Sequence, residues 1–203
     1  MASWVGGLSM SDNNISARMS LSNIGIASAF QSVEDNYRRS SVYKTAALCF
    51  LHTFLDPNVL TSIRWQDVDL EEGLLSIREG RNPRIMPISD QVVDLLAQLA
   101  KKDGAIGYVF GALGIKQDYI GATQISNILS SVGTPLQLNQ VEHLGLAKFL
   151  EFSSDRDLAL VHFGYTSSQE TFLGDGQIEE RRRFCESWSN QLMSLVSSLR
   201  KAT

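Results

Sequence analysis

The chain has 203 residues, and 18 Lys and Arg against 22 Asp and Glu give it a formal net charge of −4. At about 150 residues per domain this is one domain with appendages, and the acidic balance counts against an indiscriminate nucleic-acid binder, which carries a basic excess. No apolar run approaches the roughly 18 residues of a membrane span, and the two cysteines, Cys49 and Cys185, cannot build a disulfide framework or a four-thiolate zinc site. The start, MASWVGGLSMSDNNIS, lacks the basic and apolar regions of a signal peptide. A soluble, intracellular (cytoplasmic) protein with no membrane partner is expected.

Residues 1–19 are rich in Ser, Asn, Gly and Met, show no sustained period, and read as a flexible arm. From there Leu21, Ile24, Ala27, Phe30 and Val33 recur at helical spacing, with Ser20 as the cap. After the polar break Tyr37-Arg38-Arg39-Ser40, Ser40 or Ser41 caps a second helix, SVYKTAALCFLHTFL, which is apolar on nearly every side and therefore central. Asp56-Pro57-Asn58 stops that helix and starts a short one, Pro57 suiting a first helical turn. At Trp65 the period changes. The runs LLSI and RIMPI flank Arg78-Glu79-Gly80-Arg81-Asn82-Pro83, a turn by its Gly, Asn and Pro, which predicts a hairpin with another short strand near Asp67 to Leu70. Ser89-Asp90-Gln91 caps VVDLLAQLAKK, where Val92, Leu95, Leu96 and Leu99 form one stripe, and a glycine-punctuated loop surrounds Tyr108-Val109-Phe110. Helices follow at 122–132, 137–152, 155–163 and 177–200, the last with Phe184, Trp188, Leu192, Leu195 and Leu199 every three or four residues. The fold class expected is mainly α (α+β), a helical bundle with a small three-stranded antiparallel sheet.

The specific signal lies between Ala46 and Ser89. Ile63-Arg64-Trp65-Gln66-Asp67-Val68-Asp69 resembles the Leu-x-Trp-x-Asp-(Ile/Val)-Asp segment of tyrosine recombinases, the phage-integrase family. Arg84-Ile85-Met86-Pro87-Ile88 resembles the Arg-x-Val-Pro-Leu end of that family's lysine-bearing hairpin, and Tyr108-Val109-Phe110 a later Tyr-Val-Phe element. Ser154-Asp155-Arg156-Asp157 through Gly164-Tyr165-Thr166-Ser167 is similar, more weakly, to the helix leading into Leu-Gly-His-Ser. The resemblance implies an arm at 1–19, an integrase-like catalytic-domain fold at 20–175, and a C-terminal helix at 176–203 packing in cis or on a partner.

In that family a tyrosine attacks a DNA phosphodiester, two arginines clamp the nonbridging oxygens, and a lysine and histidines handle protons, the logic of any phosphoryl transfer. The resemblance puts Asp56 at the first arginine, Arg81 nearest the hairpin lysine, His143 and Leu146 on the His-x-x-Arg element, Tyr165 at the Gly-His position and Gly174 at the nucleophile. A carboxylate about 4 Å from a phosphate repels it by roughly 1 kcal/mol even in water, and Asp56 before Pro57 is most simply a helix cap. Leucine donates nothing, arginine is a poor proton donor, and no tyrosine follows Tyr165. The resemblance therefore implies a degenerate member that is not an enzyme; strand transfer would need another nucleophile such as Tyr165.

Other chemistry finds no support. There is no phosphate-binding glycine loop, and His52, His143 and His162 have no metal-ligand spacing, so neither a metal nor a cofactor is expected. Cys185, next to Phe184, reads as an inert thiol although Arg181-Arg182-Arg183 precede it, and Glu179 to Arg183 as a solvated first turn. Two functions stay open. One is association with double-stranded DNA without cutting, at sites of a mobile element or in modulating recombination or transcription, through Arg38, Arg39, Lys44, Arg78, Arg81, Arg84 and Lys148, with His143 a retained contact. The other is a protein-interaction module in which Phe184, Trp188, Leu192, Leu195 and Leu199 dock on a second copy or another protein rather than in their own core.

Overall fold

A computed structural model describes residues 12–78, 84–111, 119–133, 136–165 and 175–202. Eight helices carry most of these residues: α1 (Asp12–Asn36), α2 (Ser41–Thr53), α3 (Pro57–Ser62), α4 (Asp90–Asp103), α5 (Ala122–Ser131), α6 (Leu138–Phe152), α7 (Arg156–Phe163) and α8 (Asp175–Ala202). Between α3 and α4 a single 3-10 turn leads into β1 (Val68–Asp69), β2 (Leu74–Ile77) and β3 (Arg84–Pro87), an antiparallel sheet in that order. The mainly helical class with its small sheet is therefore as the sequence implies. Among the described residues no helix is long and apolar enough to cross a membrane.

α2 is the axis of the bundle. Val42 and every residue from Thr45 to Thr53 are buried, because α1, α4, α5 and α8 all pack against it and leave no face for polar side chains. It begins where Ser40 Oγ accepts from the Tyr43 N–H and ends at Phe54, whose backbone turns left-handed with φ 55°. That conformation costs a non-glycine residue on the order of 1–3 kcal/mol. Burial offsets it: the Phe54 ring lies 4.7 Å from Trp188 and fills the space left by Gly145, where an added Cβ would sit 2.4 Å from Phe54 Cβ.

One boundary and one cap bond differ from expectation. α1 begins at Asp12, so part of the segment read as an arm is helical, and Ser20 lies inside the helix rather than at its cap. Neither glycine nor proline interrupts the chain from Asp12 to Ile24, and a nucleated helix extends at little cost per residue. Ser89 is the N-cap of α4 but makes no capping bond; its Oγ lies 2.7 Å from that of Ser189, which also meets His52 Nδ1 at 2.9 Å.

This buried His52–Ser189–Ser89 chain gives the fold a pH sensitivity. Burial lowers the His52 pKa to about 4, so the folded state holds the ring neutral while the unfolded chain takes up a proton below its ordinary value. Stability contributed here is complete above about pH 6.5 and is lost as pH falls toward 4. His52→Asn, which keeps a polar partner for Ser189, is expected to flatten urea-midpoint against pH across that window; an unchanged slope would show that the ring takes its proton without unfolding.

The sheet register pairs Val68 with Leu75, Leu75 with Met86 and Ile77 with Arg84. Leu75, Ile77 and Met86 face the core. β3 is an edge, and open edges invite pairing with other chains. Here α8 covers it. Arg181 Nη2 donates to the Ile85 carbonyl at 2.8 Å and Cys185 Sγ to that of Pro87 at 3.2 Å. Burial pushes the Cys185 thiol up to about 12, consistent with the inert reading.

Candidate functional site

A cleft of about 520 Å³ opens where α3, β3, α6 and the end of α7 meet, with Asp56, Arg84, Tyr119, Glu142, Gly164 and Tyr165 in its lining. Asp56 is there because it caps α3: its Oδ1 accepts from the N–H groups of Asn58 (2.8 Å) and Val59 (3.2 Å), two of the donors a helix start leaves open. Arg84, first residue of β3, donates from Nε to the His162 carbonyl at 3.0 Å. Its guanidinium lies across Gly164, where an added Cβ would come within 2.4 Å of Nη1 and 2.7 Å of Cζ. Gly164 is thus needed twice, for this close approach and for its left-handed φ of 75° at the end of α7.

The cleft mixes signs. Burial lowers the Arg84 pKa to about 10, with Asp56 opposing the shift, so Arg84 stays a cation at neutral pH. Burial, then the charge of Asp56, raise the Glu142 carboxyl. The Tyr165 hydroxyl is raised by burial, then by Glu142 and Asp56, although the residue is 53% exposed. A smaller depression shares Val59 and Ser62 with the cleft and carries Arg64, Asp67 and Arg78. There Arg78 pairs with Asp67, and the Arg64 guanidinium lies 4.1 Å from the centre of the Tyr108 ring, itself 4.6 Å from Tyr119.

The basic groove drawn from sequence is not assembled as drawn. Arg78 and Arg84 border the two connected depressions, but Arg38 and Arg39 follow α1 at the surface. Lys44 donates to the Glu34 carbonyl in a separate hollow with Leu95, and Lys148 pairs with Glu151 at 2.8 Å beside Phe152 and Trp188. Lys44 and Lys148 thus lie in hollows of their own, outside the lining of the cleft. His143 is exposed on α6 and Leu146 packs against the core. Arg81 and Gly174 lie outside the described residues. Among the described residues no three His, Cys, Asp or Glu side chains gather to hold a metal.

The stripe of α8 packs largely within the chain: Phe184, Trp188 and Leu192 are at most 3% exposed, and Leu195 and Leu199 are partly buried against the same core, so the first three side chains are taken up by the chain's own core. Arg181 is a second correction: instead of standing in a solvated first turn it is fully buried, with Nε donating to His162 Nδ1 at 3.2 Å. Its place three, seven and eleven residues before Phe184, Trp188 and Leu192 was the available signal.

The described residues thus form helices around a small antiparallel sheet, with a cleft between α3, β3, α6 and the end of α7. The integrase from mycobacterium phage Brujita superposes with a TM-score of 0.61, at 15% identity, over 86% of this chain and 61% of that one. Over 110 residues the chain is 26% identical to the integrase of Shigella phage Sf6 and 27% identical to prophage integrase IntS of Escherichia coli (strain K12). Each match takes in 52% of this chain and spans 29% of the relative's length. No family model matches. Fold and sequence thus point the same way, and the chain is similar to phage integrases. The expectation of a non-enzyme is corrected by these comparisons: the curated relatives that the chain matches are themselves named integrases.

Proposed function

We propose that this chain is an integrase-type DNA-recombination protein that meets duplex DNA on the face bearing the cleft and the Arg64–Arg78 depression. The observation that carries the reading is the placement of Arg84. A guanidinium held by a backbone carbonyl and a glycine slot, and partly removed from water, is a fixed cation where a phosphate oxygen can be received. Arg64, beside the Arg78–Asp67 pair, adds a further cation in the adjoining depression, and the names of the integrase relatives support the reading. Strand attack in this proposal falls to Tyr165, which brings a hydroxyl to the cleft beside Arg84. That hydroxyl is held protonated, so as its oxygen bonds to phosphorus and the bond from phosphorus to the leaving sugar oxygen breaks, its proton passes to a carboxylate of the cleft, Glu142 or Asp56, which returns a proton to the departing oxygen.

The test is a titration of labelled duplex at about 50 and 200 mM salt, since phosphate contacts release counterions and weaken with salt. Arg84→Gln is expected to weaken binding across sequences and to lower the log–log salt slope by about 1. No binding by the wild type at the lower salt would overturn the proposal. A nicked suicide duplex then reports cleavage. A covalent adduct is expected to accumulate slowly, because neither Asp56 nor Leu146 donates to a phosphoryl oxygen and each absent donor costs on the order of 100- to 1,000-fold, and Tyr165→Phe is expected to abolish it. An adduct that persists in that variant would remove Tyr165 from the proposal.

A further inference from the structure

Behind Arg84 lies a second arginine that the cleft does not expose. Arg181 is fully buried on α8, and among the described residues it makes no ion pair, while its Nη1 has no hydrogen-bond partner. Burying an unpaired charge is costly, and the neighbouring charge of Arg84 adds to the cost. Covering the β3 edge does not by itself demand this, because a neutral amide reaches a carbonyl as well. What the guanidinium adds is two separate donor nitrogens, Nε and Nη2, held in one rigid plane and aimed at different acceptors. Nη2 holds the carbonyl of Ile85, the residue directly after Arg84, and Nε holds the ring of His162, whose own carbonyl takes the Arg84 Nε–H. The strand that carries Arg84 and the end of α7 that holds its Nε are therefore tied to one side chain.

We infer that Arg181 is a positioning residue that fixes the Arg84 guanidinium in the cleft for an anionic phosphate oxygen, holding β3 and α7 in register through Ile85 and His162. The inference rests on the proposed role of Arg84. Arg181 touches no ligand itself. Its effect on binding passes entirely through Arg84, which distinguishes it from a residue that merely stabilises the bundle.

Two readouts test it, and the first needs no DNA. In 15N spectra the Arg84 Nε–H resonance, identified by its loss in Arg84→Gln, should exchange slowly in the wild type and at least tenfold faster in Arg181→Gln with the backbone amide spectrum otherwise retained. Arg181→Lys keeps the charge but gathers its donors on one nitrogen, which cannot occupy both the Nε and the Nη2 positions. It is expected to fold and to leave Arg84 equally unprotected, and it serves alone if the glutamine variant does not fold. Full protection of Arg84 in either variant overturns the inference. The second readout is a double-mutant cycle in duplex binding. The loss caused by Arg181→Gln, expected to be about tenfold, should vanish in an Arg84→Gln background; equal losses in both backgrounds would make Arg181 a structural residue only. If the wild type binds no duplex, the proposed function falls while the exchange measurement still decides whether Arg181 positions Arg84.

Discussion

Trp188→Ala is expected to destabilise the chain by about 3–5 kcal/mol, the usual range for removing a buried aromatic side chain of this size. The residue is 3% exposed, and two separate losses combine. Its ring packs at 4.7 Å from Phe54, the left-handed residue that ends α2 and lines the cleft. Its Nε1–H donates to the Leu51 carbonyl at 3.1 Å, one of the last four carbonyls of α2, which a helix cannot satisfy internally. α8 thus closes the C-terminal end of α2 with an indole. Trp188→Phe separates the terms: it keeps most of the apolar contact and forfeits the hydrogen bond, a loss of about 1–3 kcal/mol for a buried carbonyl left without a donor. Urea titration of both variants checks the order, with alanine shifting the midpoint well beyond phenylalanine. A solvent-facing stripe that docks on a partner would instead leave the urea midpoint of the isolated chain nearly unchanged and alter its size in solution.

How far the sequence reaches is visible in these same elements. The hairpin was legible because LLSI and RIMPI flank turn-forming residues, and α2 because its apolar residues leave no polar face. The α3 cap was legible because Asp-Pro permits little else locally. These are short-range facts. Arg181 was legible only as a position on the apolar stripe of α8; its partners were not, since β3 and α7 arrive beside α8 from about 96 and 19 residues away, and the run of charges around it has a solvated default reading. The α8 stripe showed which face is apolar but not whether the chain itself covers it. The cleft is the hardest case. Matching positions to the integrase family supplied the identity of Asp56 and pointed to Tyr165, but Glu142 belongs to no motif, and the glycine slot under Arg84 is a three-dimensional coincidence of α7 with β3.

The carboxylates of the cleft lead to the last expected result. Asp56→Asn with Glu142→Gln should bind duplex DNA about tenfold or more tightly than the wild type at pH 7 and low salt. A carboxylate about 4 Å from a phosphate costs roughly 1 kcal/mol in water and more where water is excluded, so neutralising two is worth at least one decade in affinity. Asparagine caps a helix as well as aspartate does, so α3 keeps its start and the gain is not obscured by lost stability. The pH dependence has a definite sign. Burial and Asp56 already hold the Glu142 carboxyl above its ordinary value, and a phosphate brought alongside raises it further, so binding takes up protons and tightens as pH falls through that raised range. In the free protein the same group stabilises the fold when protonated, a contribution present at low pH and lost as pH rises through the folded-state value, opposite in sign to that of His52. Glu142→Gln alone should remove the pH dependence of binding that Glu142 contributes. If the double variant binds no tighter than the wild type, the DNA does not approach these carboxylates, and Arg84 together with them would have to be reassigned away from the phosphate backbone.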